Sequence, residues 1–187
     1  AQTTGLTFAA GDGTSDATMT FGGTVANINL AIATITWTSA SNDDADATIT
    51  VVTTDDDGDS DTDSMTITVN SVNDAPTTSG GAATVAEDAT HTFTTTASDW
   101  GFSDVDSGDA MTSVDITSLP GTGTLNYGGS PVEAGDDIAI ANLGGLTYVP
   151  VANANGAVTF TFKVYDGEAL SASAGTFTLT YTAVDDA

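Results

Sequence analysis

The chain alternates apolar and polar residues with a period of two, and this alternation most limits what it can fold into. In Met65–Val69 and Phe177–Tyr181 every second residue is apolar, and threonine fills the positions between. Successive side chains of a β-strand point to opposite faces of a sheet, so the pattern predicts strands with one buried and one wet face. Such strands recur between Gly-, Asp- and Asn-rich turns, which is typical of an all-β sandwich. Only residues 25–32 have helical character, and there we expect one or two turns within a loop.

The strand pattern occurs twice along the chain. Ile35–Trp37 aligns with Leu146–Tyr148 at an offset of 146 − 35 = 111 residues, and Met65 aligns with Phe177 at 177 − 65 = 112. Both copies end on a Val-Asn/Asp-Asp-Ala tetrapeptide, at residues 72–75 and 184–187. We therefore predict two β-sandwich domains, residues 1–75 and residues 76–187.

The first copy is shorter than the second. It lacks a counterpart of roughly the first 112 − 75 = 37 residues of the second copy, which contain two of its predicted strands. A sandwich without two strands has an open edge and an uncovered core, so the repeat at residues 1–75 is expected to be incomplete. Three explanations stay open: the segment belongs to a longer tandem array, another chain supplies the missing strands, or the first domain is simply shorter.

The charge of the chain excludes several classes of partner. It has 26 acidic residues against one basic residue, Lys163, for a formal net charge of −25. Nucleic acids and anionic membranes bind clustered Lys and Arg, so we expect neither as a partner. The absence of Cys excludes thiolate chemistry, and a single His, His91, weakens any Ser–His mechanism. The loop with Asp99, Asp104 and Asp106 has no cleft of aromatic residues around it, so a glycosidase is a minor alternative and we expect no enzyme.

Alternating strand directions bring four acidic loops to the junction between the two predicted domains. No basic residue is available there, and two carboxylates about 4 Å apart repel by roughly 4 kcal/mol at an effective dielectric constant of 20. Calcium, with six to eight oxygen ligands, fits such a set best, and magnesium ranks second because it prefers a tighter octahedron. The predicted ligands at this junction are Asn42, Asp43, Asp44, Asn73, Asp74, Asp104, Asp106 and Asp166.

Two further acidic groups lie at the outer ends of the predicted domains, and we interpret them as halves of other calcium sites. Their members are Glu87, Asp88, Asp185 and Asp186 at the end of the second copy, and Asp55 and Asp57 at the start of the run 55–63 of the first. That run superficially resembles an EF-hand loop, but the distal Glu and the flanking helices are missing. The alternative interpretation of every acidic loop is a solvated surface.

Several motifs together resemble the cadherin-like tandem repeats of large secreted bacterial adhesins, of the VCBS and RTX type. They are Asn73-Asp74-Ala75-Pro76, Val85-Ala-Glu87-Asp88, Gly101-Phe-Ser-Asp104-Val-Asp106-Ser-Gly108-Asp109, Leu146-Thr-Tyr148-Val-Pro150 and Val164-Tyr-Asp166-Gly167. The resemblance implies extracellular sandwiches joined end to end, with Ca²⁺ at the linkers. It matches Asp104 and Asp106 to the paired aspartates of the family and Asn73 and Asp74 to its linker ligands.

We therefore expect a non-enzymatic, calcium-stabilised repeat segment of a large bacterial surface protein that acts in cell adhesion, for example in a biofilm. Its expected partners are neighbouring repeats or like subunits. One alternative is a subunit of an extracellular filament, completed by strands from a neighbouring chain. A second alternative is a glycan-binding module, for which Trp100 would be the candidate sugar platform. We expect Trp100 instead to anchor its loop on the core.

Overall fold

A computed structural model describes residues 2–185 of the chain, so the predicted ligand Asp186 lies outside the described residues. The chain divides into two compact units, Ala1–Asn70 and Ser71–Ala187. We call them the first and the second unit and describe each by itself. The regular secondary structure of the described residues is mostly β-strand, which confirms the all-β fold class predicted from the alternation.

Among its described residues, the first unit contains two separate hairpins and one helix. Its elements are β1 (Leu6–Ala10), β2 (Thr20–Gly23), α1 (Val25–Ile32), β3 (Ala47–Thr54) and β4 (Ser60–Ile67). The strands pair antiparallel as β1 with β2 and β3 with β4. The residues expected to form one or two turns within a loop make up the α-helix α1. Thr24 caps the N-terminus of this helix, and its hydroxyl accepts the Asn27 N–H at 3.4 Å.

The second unit contains eleven strands and two 3₁₀ turns among its described residues. They are β5 (Thr77–Thr78), β6 (Gly81–Ala86), β7 (His91–Thr92), a 3₁₀ turn (Ala97–Trp100), β8 (Phe102–Ser103), β9 (Ser113–Ser118), β10 (Thr124–Tyr127), β11 (Ser130–Pro131), β12 (Asp137–Ala139), a 3₁₀ turn (Ile140–Gly145), β13 (Leu146–Val149), β14 (Ala157–Tyr165) and β15 (Gly175–Thr182). The alternation in residues 76–187 predicts seven strands, at about 82–86, 91–97, 111–117, 123–127, 145–149, 157–165 and 174–183. Each of these segments contains a strand, although only the two residues of β7 are strand within 91–97.

Two sheets form the sandwich of the second unit. Their strand orders are β11-β10-β13-β7 and β12-β9-β14-β15-β6, and β6 runs parallel to β15. Aromatic rings fill the core: Phe160 and Phe177 stack with centroids 5.4 Å apart, and Trp100 meets the edge of Phe162 at 5.0 Å. Trp100 has 0% exposure and donates its indole N–H to the carbonyl of Thr94 at 3.3 Å. The prediction that Trp100 anchors its loop on the core is therefore confirmed.

The hairpins β3–β4 and β14–β15 share one strand register. Ile49 pairs with Met65 in the first unit, and Phe160 pairs with Phe177 in the second. These pairs correspond under the offsets 160 − 49 = 111 and 177 − 65 = 112. The correspondence concerns these hairpins, and the assignment of residues 1–75 and 76–187 as two domains stays a prediction.

The strand predicted at Ile35–Trp37 is wrong, because these residues have no regular secondary structure. Their counterpart in the second unit is β13, which lies between β10 and β7 and bonds to both. The segment that forms β7 has no counterpart in the first copy. Residues 35–37 therefore have the pattern of a strand but lack the neighbouring strand that would form hydrogen bonds with them.

Candidate metal centre

Three carboxylates converge in the loop that follows β8. Asp104, Asp106 and Asp109 each offer an oxygen, and these oxygens lie within 4.8 Å of one another. The loop folds back on itself because the Asp106 N–H donates to Asp104 Oδ1 at 3.0 Å and the Asp109 N–H approaches the Asp106 carbonyl at 3.4 Å. Gly108 permits the return, since its φ of 100° is a conformation that residues with side chains rarely adopt.

A second loop brings Asp166 to the same end of the second unit. Asp166 follows β14, and its Oδ1 accepts the N–H groups of Glu168 at 2.6 Å and Ala169 at 2.7 Å. Its Oδ2 accepts the side-chain amide of Asn73 at 3.2 Å. The bonds to Glu168 and Ala169 fix the carboxylate at the start of the turn, and the bond to Asn73 ties it to the segment that enters the unit.

The entering segment is tied to the acidic loop as well. The Asp74 N–H donates to Asp106 Oδ2 at 2.6 Å, and the Asn73 amide nitrogen also donates to the Asp74 carbonyl at 3.1 Å. Both of these bonds are donated by the amide nitrogen of Asn73, and an amide oxygen is a separate acceptor that can bind another partner. We call Asn73, Asp104, Asp106, Asp109 and Asp166 the acidic site.

One oxygen of the acidic site is buried without a partner. Asp104 Oδ2 has no hydrogen bond among the described residues, although solvent scarcely reaches it. A buried, charged oxygen with no donor is unfavourable by at least 1–3 kcal/mol on general grounds, because desolvation is not offset. The oxygen-only composition of the cluster and this orphaned atom fit a hard divalent cation such as Ca²⁺.

The pKa values of two members of the acidic site are shifted in opposite directions. Lost hydration, followed by the charges of Asp104, Asp106 and Asp166, raises the pKa of the Asp109 carboxyl. Burial also pushes the pKa of Asp166 upward, but the hydrogen bonds to its carboxylate outweigh burial, and the pKa of Asp166 lies below its ordinary value. The folded state therefore disfavours the ionised form of Asp109, whereas it favours the ionised form of Asp166.

The structure brings together five of the predicted ligands, namely Asn73, Asp74, Asp104, Asp106 and Asp166. Asp74 takes part through its backbone N–H. Asp109 was not among the predicted ligands. The D-x-D-x-x-D spacing of Asp104, Asp106 and Asp109 would have pointed to it, because a glycine before the third aspartate allows the loop to close. The roles of these residues in metal binding stay predictions.

The predicted ligands at the other end of the second unit occupy a different environment. Glu87 has 7% exposure and follows β6, and its Oε1 accepts the Val184 N–H at 2.6 Å. Its own N–H donates to the Thr182 carbonyl at 3.1 Å. Asp88 and Asp185 are exposed beside these two segments. Glu87 thus secures the chain as it leaves β15, and its predicted part in a second metal site stays untested.

The predicted ligands of the first unit lie in two loops. The Asp55 Oδ1 accepts the N–H groups of Asp57 and Asp59, each at 3.0 Å, in the turn between β3 and β4. Asp43 Oδ1 accepts the Ala45 N–H at 3.2 Å before β3. Asn42 beside it has a positive φ of 57°, and Asp44 is exposed. The shared metal site of Asn42, Asp43 and Asp44 with residues of the second unit stays a prediction.

Comparison with known proteins identifies the family. Residues 72–182 match the family model of the cadherin-like domain. The chain belongs to the cadherin-like domain family. This confirms the resemblance noted in the sequence, and it identifies the second unit as an adhesion-type module of a class that is typically extracellular and usually binds calcium. The match covers one copy, so a tandem arrangement stays a prediction.

The other comparisons add little. No curated protein matches the chain. Among solved structures, an endo-fucoidan hydrolase of glycoside hydrolase family 107 aligns at 19% identity and a TM-score of 0.32, with 97% of this chain and 22% of that chain covered. The cadherin-like chain thus spans less than a quarter of that enzyme, and a likeness this weak carries no argument. Within residues 2–185, no helix has the length and apolar character needed to cross a membrane.

Proposed function

We propose that the acidic site binds Ca²⁺ and that the chain is a calcium-stabilised structural or adhesion segment of a large extracellular protein of a bacterial surface. The buried, unpartnered Oδ2 of Asp104 inside a cluster of carboxylates carries this proposal. The oxygens of Asp104, Asp106, Asp109 and Asp166 and the amide oxygen of Asn73 would supply the ligands. Water completes the six to eight positions that Ca²⁺ takes, and Mg²⁺ is the second choice.

The residues of the acidic site perform a mechanical task. Asn73 and Asp74 belong to the segment that enters the second unit, and both bond to carboxylates of its loops. A bound cation would remove the repulsion among those carboxylates and hold the entering segment against the unit. The segment would then be a stiff connection to a neighbouring repeat. Extracellular modules of this kind bind Ca²⁺ with dissociation constants of roughly 10⁻⁴–10⁻³ M.

The proposal includes no catalytic step. Its partners are neighbouring repeats, and nucleic acid and membrane insertion are not expected for a chain with one basic residue among 26 acidic ones. The glycan-binding alternative loses its candidate platform, because Trp100 has 0% exposure and cannot present its ring to a sugar.

The test is the effect of calcium on thermal unfolding of the whole chain. Saturation to about 100 times the dissociation constant should stabilise the folded state by about 2.7 kcal/mol, because only the folded state assembles the site. For a unit of this size, we expect the Tm to rise by roughly 10 °C or more. The double variant Asp104→Asn with Asp106→Asn should lose this rise, and calorimetric titration should show no binding there in the same range.

The matched control is Asp115→Asn with Asp137→Asn. These two aspartates pair across β9 and β12, so the control removes the same charge from the same unit away from the acidic site. We expect the control to keep the full response to calcium. A melting curve that does not change with chelator would reject the proposal, as would an equal loss of response in the two double variants.

A further inference from the structure

Two tyrosines of the second unit are hydrogen-bonded to each other between the two sheets. Tyr148 lies on β13 in the four-stranded sheet, and Tyr181 lies on β15 in the five-stranded sheet. The hydroxyl of Tyr148 donates to the Thr122 carbonyl at 2.9 Å, and it is also bonded to the hydroxyl of Tyr181. A phenol has one proton to donate, so the hydroxyl of Tyr181 donates to the oxygen of Tyr148. We call Tyr148 and Tyr181 the tyrosine pair.

The rings of the tyrosine pair are bent toward each other. Their centroids lie 6.5 Å apart, and their planes make an angle of 34°. Two hydrogen-bonded phenols that lay end to end along one line would have their centroids farther apart. The ortho carbons are bonded to the carbons that carry the hydroxyls, so this bent contact also brings an ortho carbon of each ring near the other ring. The ortho carbons are the positions at which two tyrosyl radicals couple.

The two members of the tyrosine pair differ in their access to solvent. Tyr148 has 0% exposure, and the backbone of Gly123 lies so close to it that a Cβ on Gly123 would collide with the hydroxyl. Burial, followed by the bond to Tyr181, raises the pKa of Tyr148, so this phenol stays protonated at neutral pH. Tyr181 is half-buried. An oxidant in solution therefore reaches Tyr181, and Tyr148 is oxidised through the bond between the two hydroxyls.

The other two tyrosines of the chain are placed differently. Tyr127 is 37% exposed at the end of β10, and Tyr165 donates its hydroxyl to the Gly167 carbonyl at 2.8 Å. Among residues 2–185, neither ring packs against another aromatic ring. The tyrosine pair is therefore the place in the described chain where two phenols are already in contact. The chain has no Cys, so no disulfide can join the two sheets.

We propose that Tyr148 and Tyr181 are a modification site, at which a haem peroxidase with hydrogen peroxide joins the two rings into a dityrosine. Tyr181 loses the hydrogen atom of its hydroxyl to the oxidant, and its radical takes the hydrogen atom of Tyr148. A second oxidation of Tyr181 leaves one phenoxyl radical on each ring. The two radicals form a C–C bond between one ortho carbon of each ring, and the hydrogen on each of these carbons moves to the phenoxyl oxygen as a proton. Both rings are then aromatic again, and one hydrogen peroxide has been reduced to two waters.

The dityrosine is a covalent bond between the two sheets of the second unit. It closes a loop of 181 − 148 = 33 residues, which includes β14. A cross-link restricts the unfolded chain, and for a loop of this length we expect the Tm of the second unit to rise by roughly 10 °C or more. The acidic site takes no part in the reaction, so the cross-link forms with or without calcium.

The single basic residue of the chain gives a direct test of which tyrosines are joined. Trypsin cleaves after Lys163 alone, and this cleavage separates Tyr148 from Tyr181. The whole chain is treated with a haem peroxidase and hydrogen peroxide, and the monomer is isolated, denatured and digested. We expect fragments 1–163 and 164–187 to stay joined, with a mass two hydrogen atoms below the sum of the two fragments and with the fluorescence of dityrosine. Fragments that separate after oxidation would overturn the proposal.

Four phenylalanine variants show which two tyrosines couple, because each fragment contains one member of the tyrosine pair and one other tyrosine. Tyr148→Phe and Tyr181→Phe keep a ring but remove one phenol, so their fragments should separate and the rise in Tm should be lost. Tyr127→Phe and Tyr165→Phe are the matched controls, and their fragments should stay joined. Far-UV circular dichroism before oxidation checks that each variant folds, and Tyr181→Phe decides if the buried Tyr148→Phe does not. Fragments that stay joined in Tyr181→Phe but separate in either control would assign the bond to other tyrosines, and the proposal would be wrong.

Discussion

The hairpins β3–β4 and β14–β15 pair in the same register but differ in what covers them. Phe177 of the second unit is 3% exposed, whereas Met65, the equivalent residue of the first, is 58% exposed. Strand register follows from the alternation and from the turn, which are properties of the hairpin itself. Burial follows from the neighbouring strands and from residues such as Trp100, which the segment before β9 provides in the second unit. The comparison therefore separates strand register, which the hairpin itself determines, from burial, which the rest of the sandwich has to provide.

Amide hydrogen exchange should show the largest difference between the two hairpins. The β14–β15 amides open only with the whole unit, for which about 5–15 kcal/mol is typical of small domains. The β3–β4 amides lie in a sheet without a core and should open with less than about 2 kcal/mol. Exchange in calcium-saturated buffer measures both hairpins at once. Equal protection of β4 and β15 in the free chain would contradict the comparison.

The two tryptophans give a matched pair for the same contrast. Trp100 is 0% exposed in the core of the second unit, and Trp37 is 41% exposed in the first. Trp100→Ala should lower the free energy of unfolding of the second unit by about 3–5 kcal/mol, because a large cavity remains in the core. Trp37→Ala should change the free energy of unfolding of the first unit by no more than about 0.5 kcal/mol, as expected for a surface position. Urea unfolding followed by far-UV circular dichroism measures both.

Trp100→Phe serves as the control for the first of these changes. It removes the indole N–H bond to Thr94 but keeps an aromatic ring against Phe162. Because the cavity left in the core is smaller, the loss of stability should be smaller than in Trp100→Ala. A loss for Trp37→Ala equal to that for Trp100→Ala would mean that the first unit has a core of its own.

The sequence predicted the strands well wherever they have partners. Alternation located β3, β14 and β15, since a strand with one buried face leaves that pattern in the residues. Of β4 it located only residues 65–67, because the strand begins at Ser60 inside the acidic run 55–63 and ends before residues 68–69. The same reasoning failed at Ile35–Trp37, whose pattern is that of β13. A strand is stable only when a neighbouring strand accepts its hydrogen bonds, and the alternation of one segment carries no information about its neighbour.

The acidic site was predictable for a different reason. Asp104, Asp106 and Asp166 lie at strand ends, and the alternation of strand direction is enough to bring such ends together. Asp109 was not predicted as a member of the site, because its position depends on the conformation of one loop. In that loop Gly108 takes a positive φ and Asp109 turns back toward Asp106. Loop geometry of this kind follows from local backbone conformation and contacts rather than from hydrophobic pattern.

The turns after β3 and β14 provide the smallest and most specific contrast. Asp55 and Asp166 each accept two backbone N–H groups through Oδ1, but Asp166 also accepts the Asn73 amide. The lowered pKa of Asp166 means that its ionised form stabilises the folded state above the ordinary carboxyl pKa, and that this contribution is lost as the pH falls. In chelator at pH 7, we expect Asp166→Asn to lower the Tm and Asp55→Asn to leave it within about 1 °C, since surface changes are small.

Asp109→Asn should act in the opposite direction, and this sign is the sharpest check on the electrostatics of the acidic site. The raised pKa of Asp109 means that the folded state favours its protonated form, so its stabilising contribution is present at low pH and is lost as the pH rises through that pKa. In chelator, Asp109→Asn should therefore raise the Tm at pH 7 and have little effect below about pH 3, where the carboxyl is neutral in both states. With calcium present the same variant should bind the ion more weakly. If Asp109→Asn and Asp166→Asn shift the Tm at pH 7 in the same direction, the repulsion attributed to Asp109 is not what limits the calcium-free unit.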